Sequence, residues 1–190
     1  FNGLLKPSKG QVIVDGIDTS KATVAELSAK TGYVFQNPDH QIFSNTVRDE
    51  VSFGPRNLGF SQKEIEQNVN TALETFELVE LVNENPFFLS KGERERVAIA
   101  AILAMKPKIV IVDEPTTGQD WKTSMDIMNQ CKKLNAMGTT IIAISHDMRL
   151  IAENMKKIIV MSQGKILLEG PTPEVFSKPD ILKETFLEPP

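Results

Sequence analysis

Ile109-Val110-Ile111-Val112-Asp113-Glu114 is an apolar run that stops at two adjacent carboxylates. Continuous rather than alternating apolar residues mark a strand buried on both faces, as strands of parallel sheets are. Ligands of open α/β sheets gather at the carboxyl ends of such strands, so Asp113 and Glu114 stand where chemistry is done. Neighbouring strand residues point to opposite faces, so the two carboxylates are expected to take different jobs. One can hold Mg²⁺, directly or through water, and the other can accept a proton from an attacking water. Alone, Asp-Glu-Pro could simply end a strand and begin a turn; its neighbours decide.

Upstream, Leu89-Ser90-Lys91-Gly92-Glu93 is a polar turn that opens a helix. Ser90 and Glu93 have capping-box spacing, in which each side chain satisfies a free N–H near the other. The helix continues through Val97, Ala100, Ala101 and Ala104 and stops near Pro107. Free N–H groups and the positive dipole end favour an anion at such a terminus. Gly92 would let a phosphate approach the backbone closely. Taken singly, this spacing more often marks an ordinary capped helix. Beside an acidic strand end it implies nucleotide hydrolysis.

Further outward, Gln11–Ile17 reads as one short strand between glycines, Thr23–Lys30 as a short helix, and Gly32–Phe35 as a strand broken by Gln36-Asn37-Pro38-Asp39. Ser61 and Glu64 form another capping box, followed by a helix with Ile65, Val69, Ala72, Leu73 and Phe76 on one face. Trp121–Met137 reads as a helix ended by Gly138, with Met125 and Met128 on one face. Thr140–Ile144 is expected to be a second buried strand, and Met148–Asn154 a helix. Lys157–Met161 and Lys165–Glu169 pair as a hairpin, and Thr172, as a cap before Pro173, is expected to open a last helix. Strands and helices alternate from residue 109 onward, which argues for an α/β layer with a mostly parallel sheet, interrupted by a mainly helical stretch from about 45 to 95.

The chain of 190 residues is long enough for one substantial core or a core with a small subdomain. Lys and Arg number 21 against 25 Asp and Glu, a net charge of -4 that gives no electrostatic case for nucleic acid. Cys131 is the single cysteine, so no intrachain disulfide forms and a reducing compartment fits. No apolar run approaches the roughly 20 residues that span a bilayer. Phe1-Asn2-Gly3-Leu4-Leu5 has neither a charged n-region nor a signal-peptide core, and is expected to begin mid-domain.

Two further residues follow strands. His146 lies in Ser145-His146-Asp147, where an imidazole could donate to a phosphate oxygen and hold an attacking water. Gln36 could ligate Mg²⁺ and orient water. Asp39 and His40 lack the Cys or second His of a credible metal site. Phe1, Phe35, Phe43 and Phe53 fit core or interface better than a base-stacking set.

With these residues in place, the chain resembles the ATPase subunit of an ATP-binding cassette transporter over essentially its whole length. Ser90-Lys91-Gly92-Glu93 is similar to the signature motif and Ile109–Glu114 to Walker B. Thr117-Gly118-Gln119-Asp120 is similar to the D-loop, Gln36 to the Q-loop residue and His146 to the switch histidine. The stretch Val34–Phe43, then Thr46-Val47 and Phe53–Gly59, resembles the energy-coupling factor group, which drives uptake of vitamins or of cobalt and nickel ions; the tail Leu187–Pro190 does too.

The resemblance implies a P-loop NTPase fold of RecA type: a parallel-sheet core over 1–36 and 96–190, with a Q-loop and inserted α-helical subdomain over 37–95. It implies ATP as substrate, Mg²⁺ as cofactor, and a dimer with two nucleotides between two ATPase subunits. One subunit would give Gln36, Asp113, Glu114 and His146, and the facing one Ser90, Gly92 and Asp120. Glu114 would activate water, Asp113 and Gln36 would manage Mg²⁺, and His146 would steady the γ-phosphate. The partners implied are a homo- or heterodimeric second ATPase subunit and integral membrane components, at the cytoplasmic face of the cell membrane.

Two departures stand out. Lys91 and Glu93 occupy positions where the signature usually has Gly and Gln. No G-x-x-x-x-G-K-[ST] occurs, and Phe1-Asn2-Gly3-Leu4 resembles the segment just after that loop's helix. The first strands and the phosphate loop are therefore expected before Phe1, and the segment alone is expected to be inactive. The alternatives are a cassette ATPase of DNA repair or translation, and a non-hydrolysing interaction module.

Overall fold

The computed structural model describes residues 1–115, 117, 120–183 and 185. The expected D-loop residues Gly118 and Gln119 and the tail 187–190 lie outside them. The chain divides into two compact units, Phe1–Ile144 and Ser145–Pro190.

In the first unit, β1 (Ile13–Val14) and β2 (Ile17–Asp18) form a small antiparallel hairpin. A single strand was the sequence expectation here. Asp15 and Gly16, at φ 48° and 78°, make a two-residue turn that splits it. Thr23 and Glu26 cap α1 (Val24–Ser28) reciprocally, and Leu27 is its buried anchor. The sheet is parallel, with β4 (Ile109–Asp113) between β3 (Thr31–Val34) and β5 (Thr140–Ile144). Val110, Ile111 and Val112 are buried, as their continuous apolar run requires. The expectation of a second buried strand is corrected. Among the described strands β5 pairs with β4; its middle residues are half-buried and Ile144 at its end is 49% exposed.

Three helices pack together, α2 (Val47–Asn57), α3 (Gln62–Thr75) and α4 (Lys91–Ala104), and α4 lies against the sheet at β3. Thr46, Ser61 and Ser90 cap them, each accepting the backbone N–H three residues on. α4 is the hub. It packs on α2, α3 and β3, and Val97, Ala98, Ile99 and Ala100 are all buried. One core runs from Val51, Val69, Leu73 and Phe76 through Val97 to Val34 and Val112. Burial of each such large side chain stabilises by about 1.5–3 kcal/mol. α5 (Trp121–Ala136) adds Ile127, Cys131 and Leu134 to the same core.

The second unit holds α6 (Met148–Asn154) and an antiparallel hairpin of β6 (Lys157–Ser162) and β7 (Lys165–Pro171), turned at Gln163-Gly164. Val160, Val175 and Leu182 form its core with α7 (Thr172–Phe176) and α8 (Pro179–Lys183). Thr172 does not cap α7 as expected; it is the first helical residue, after Pro171. Its hydroxyl is buried and donates to the Met155 carbonyl instead. Among the described residues no helix is long and apolar enough to cross a membrane.

Candidate active site

Asp113 closes β4, and the Tyr33 hydroxyl donates to its Oδ2 at 2.6 Å. The register explains the pairing. Tyr33 lies opposite Ile111 on the neighbouring parallel strand, so its side chain shares a face with Asp113, two residues on. The bond to Asp113, then burial, then the carboxylate's charge push the Tyr33 phenol up to about 12. Phe35 braces the tyrosine ring edge-on at 5.1 Å. Sequence reasoning missed Tyr33. Strand alternation points to it only once the β3–β4 register is known.

Glu114 lies one residue beyond the strand, with φ 47°. Its direction is therefore set by a left-handed backbone and not by strand alternation, as the sequence reading had it. Such a conformation costs a non-glycine residue about 1–3 kcal/mol and persists only when its surroundings hold it. Here the Glu114 N–H donates to the Ile144 carbonyl at 2.9 Å, and its own carbonyl accepts the Thr117 N–H at 3.2 Å. The Thr117 hydroxyl also donates to Glu114 Oε2 at 3.2 Å.

Gln36 follows β3 in an exposed turn. With Asn37, Asp39, Lys91, Arg94 and Thr117 it lines a cavity of about 310 Å³. The turn is tied to α4: Arg94 pairs with Asp39 at 2.7 Å, and the Gln41 amide donates to the Ala98 carbonyl at 2.9 Å while accepting from the Phe35 N–H. Asp39 thus serves an ion pair with α4. Phe43 and Phe53 stack edge-on at 4.6 Å yet are 57% and 47% exposed, which places them at the surface and not in the core.

Ser90 caps α4 and Glu93 completes the box, donor bonds from the Ser90 hydroxyl and N–H holding the Glu93 carboxyl below its ordinary range. Ser90 and Gly92 line a second cavity, of about 610 Å³, with Arg96, Thr123, Gln130 and Lys133 among its walls. A Cβ added at Gly92 would meet the Thr123 methyl at 3.3 Å. Asp120 caps α5, accepting from the Thr123 N–H at 2.9 Å and hydroxyl at 3.1 Å, and these bonds lower its pKa. The structure thus groups Gln36 with Thr117, the donor to Glu114, and seats Ser90 and Gly92 on another cavity. His146 belongs to the second unit, exposed, one residue before Asp147, which caps α6.

Among the described residues no cluster of three or more His, Cys, Asp or Glu side chains could hold a metal alone. The donors here are hard and few: the Asp113 carboxylate, engaged by Tyr33 through one oxygen, and the Gln36 amide. That set fits Mg²⁺, which keeps several waters and completes its shell with substrate phosphates.

The family model for ABC transporters matches residues 1–117. An ABC transporter ATP-binding protein of Caldanaerobacter subterraneus subsp. tengcongensis is 48% identical over 190 residues, covering 100% of this chain and 33% of its own length. The chain thus spans about a third of that relative. The energy-coupling factor transporter ATP-binding protein EcfA of Methanocaldococcus jannaschii is 43% identical over 192 residues, covering 100% of this chain and 69% of its own. Among solved structures, cbiO1 of Clostridium perfringens, part of the ABC transporter complex cbiONQ, superposes with a TM-score of 0.85 at 37% identity, over 98% of this chain and 76% of that one. Its α/β fold, a parallel sheet under helices, is the fold described above. The chain belongs to the ABC transporter family.

Proposed function

We propose that this chain is part of the ATP-hydrolysing subunit of a membrane importer of the energy-coupling factor type, taking up a vitamin or a transition-metal ion such as cobalt. The observation that carries the reading is Asp113 and Glu114 at the carboxyl end of the central parallel strand, with Gln36 and Thr117 on one cavity beside them. The names of EcfA and cbiO1 support the transport side of it.

In hydrolysis a water oxygen bonds to the γ-phosphorus and the bond to the β-phosphate oxygen breaks. Glu114 takes the proton that the water loses. Gln36 orients that water and, with Asp113, would hold Mg²⁺, which when bound neutralises phosphate charge. The Tyr33 hydroxyl fixes the direction of the Asp113 carboxylate. The role of His146, donation to a phosphate oxygen, rests on its motif alone.

Ser90, Gly92 and Asp120 serve the nucleotide of a second ATPase subunit. The seat of Ser90 and Gly92 on a separate cavity from Gln36 supports a site shared across a dimer. The reading includes a phosphate loop ahead of Phe1 and a helical subdomain over 37–95. The exposed Phe43–Phe53 pair of that subdomain supports docking of the membrane components there, at the cytoplasmic side. Closure on ATP and opening after hydrolysis would drive those components.

Glu114→Gln in the intact protein tests the reading. Turnover should fall at least about a hundredfold, within the range of general-base catalysis. Turnover near the parent rate would reject Glu114 as the base. Copurification with an apolar membrane partner is the matching test for transport; a fully free ATPase would favour a repair or translation role.

A further inference from the structure

We propose that Lys91 is a positioning residue for the general base, acting through Thr117; the inference rests on the reading of Glu114 given above. Lys91 is the first residue of α4, at the positive end of the helix dipole, where a cation is disfavoured. Its stem carries the ammonium away from that end to the Thr117 carbonyl, 2.8 Å distant. A charge-assisted bond of this kind is stronger than a neutral one.

Thr117 in turn gives Glu114 two bonds, from its N–H to the Glu114 carbonyl and from its hydroxyl to Oε2, both at 3.2 Å. One residue therefore receives Lys91 on one side and holds both the backbone and the carboxylate of Glu114 on the other. Glu114 needs such support because its φ of 47° is unfavourable for a side-chain-bearing residue. Arg94, three residues further along the same face of α4, pairs with Asp39 in the Gln36 turn. The first turn of α4 thus holds the Glu114 loop with one cation and the Gln36 turn with another. The 310 Å³ cavity lies between the two ties. A glycine at position 91 could make no such bond. The lysine sets the base to the position of the helix that carries the signature residues.

The test uses the intact protein assembled with its second subunit, in Lys91→Met, Lys91→Arg, Thr117→Val and the Lys91→Met/Thr117→Val double variant. Lys91→Met should lower kcat by about threefold to tenfold, the size of one hydrogen bond, with KM for ATP unchanged. Lys91→Arg should restore at least about half of the rate, since the guanidinium keeps the charge and the donor. Thr117→Val removes the hydroxyl bond and keeps the carbonyl and N–H; it should lower kcat no more than Lys91→Met, and the double variant should lose less than the product of the two. Without nucleotide, hydrogen exchange at the Thr117 amide should quicken by about tenfold in Lys91→Met and not in Lys91→Arg. Parent exchange at Thr117 together with parent kcat in Lys91→Met would overturn the proposal, as would fully additive losses in the double variant. Glu114→Gln separates the layers. If it abolishes turnover while Lys91→Met is silent, only the Lys91 inference fails; if it turns over like the parent, the base assignment itself has failed.

Discussion

The Tyr33 hydroxyl donates to Oδ2 of Asp113 at 2.6 Å, from one parallel strand to the next. The bond gives a carboxylate at the candidate site a fixed orientation. It also makes the tyrosine a reporter of that carboxylate.

Tyr33 is the single tyrosine of the chain, so its ionisation can be followed by ultraviolet absorbance without interference. In the folded protein the midpoint should lie at about 12. Asp113→Asn should bring it down toward the ordinary value near 10. The folded pKa is raised, so the stabilisation is fully present below the unfolded pKa near 10 and is lost as pH rises toward the folded value. A midpoint at the ordinary value, with circular dichroism still native, would show that the bond is not made in solution.

What the sequence made legible was local. The run Ile109–Val112 announced a central buried strand because burial on both faces leaves no polar alternation. The capping boxes at Ser61 and Ser90 were readable because both partners lie within one helical turn. Tyr33 and Asp113 are 80 residues apart, and Lys91 and Thr117 are 26 apart. Those pairs depend on strand register and on loop conformation, which composition does not encode. The partial exposure of β5 escaped for the same reason, since Thr140–Ile144 is as apolar as a fully buried strand. Glu114 was assigned to a site from its place after the strand, but its left-handed backbone was not readable from Asp-Glu-Pro.

The Ser90–Glu93 box yields a prediction about the departure from Gln at position 93. Either Glu or Gln can reach back to the cap N–H, so Glu93→Gln should change the urea midpoint little. Ser90→Ala should cost about 1 kcal/mol. The Glu93 pKa is lowered on folding, so its contribution is present above the unfolded value and is lost as pH falls through the folded one. Glu93→Gln should therefore flatten the acid limb of the stability profile. An unchanged acid limb would mean that the box does not persist in solution.

Cys131 is 2% exposed on the inner face of α5, and burial pushes its thiol up to about 12. The thiolate is the reactive form, so an aromatic disulfide reagent at pH 8 should label native protein only through global opening. Urea should accelerate labelling in step with unfolding. The raised folded pKa stabilises the fold below the unfolded thiol pKa, and that contribution fades as pH climbs toward the folded value. Rapid stoichiometric labelling without denaturant would contradict the packing of α5 on the core.

Gly32 and Gly92 set a packing requirement against a proposed functional one. An alanine Cβ at Gly32 would fall 2.1 Å from the Ile102 side chain, where β3 meets α4. Gly32→Ala should cost about 1–3 kcal/mol by overpacking, and Ile102→Ala in the same chain should recover part of the loss. At Gly92 the nearest neighbour is the Thr123 methyl at 3.3 Å, a contact that a small shift relieves. Gly92→Ala should therefore keep the urea midpoint while lowering ATP turnover of the assembled protein by about tenfold, by holding a phosphate away from the helix terminus. The two glycines then show opposite signatures in paired denaturation and turnover measurements. A Gly92→Ala protein that loses stability but keeps turnover would assign Gly92 to packing and remove it from the nucleotide site.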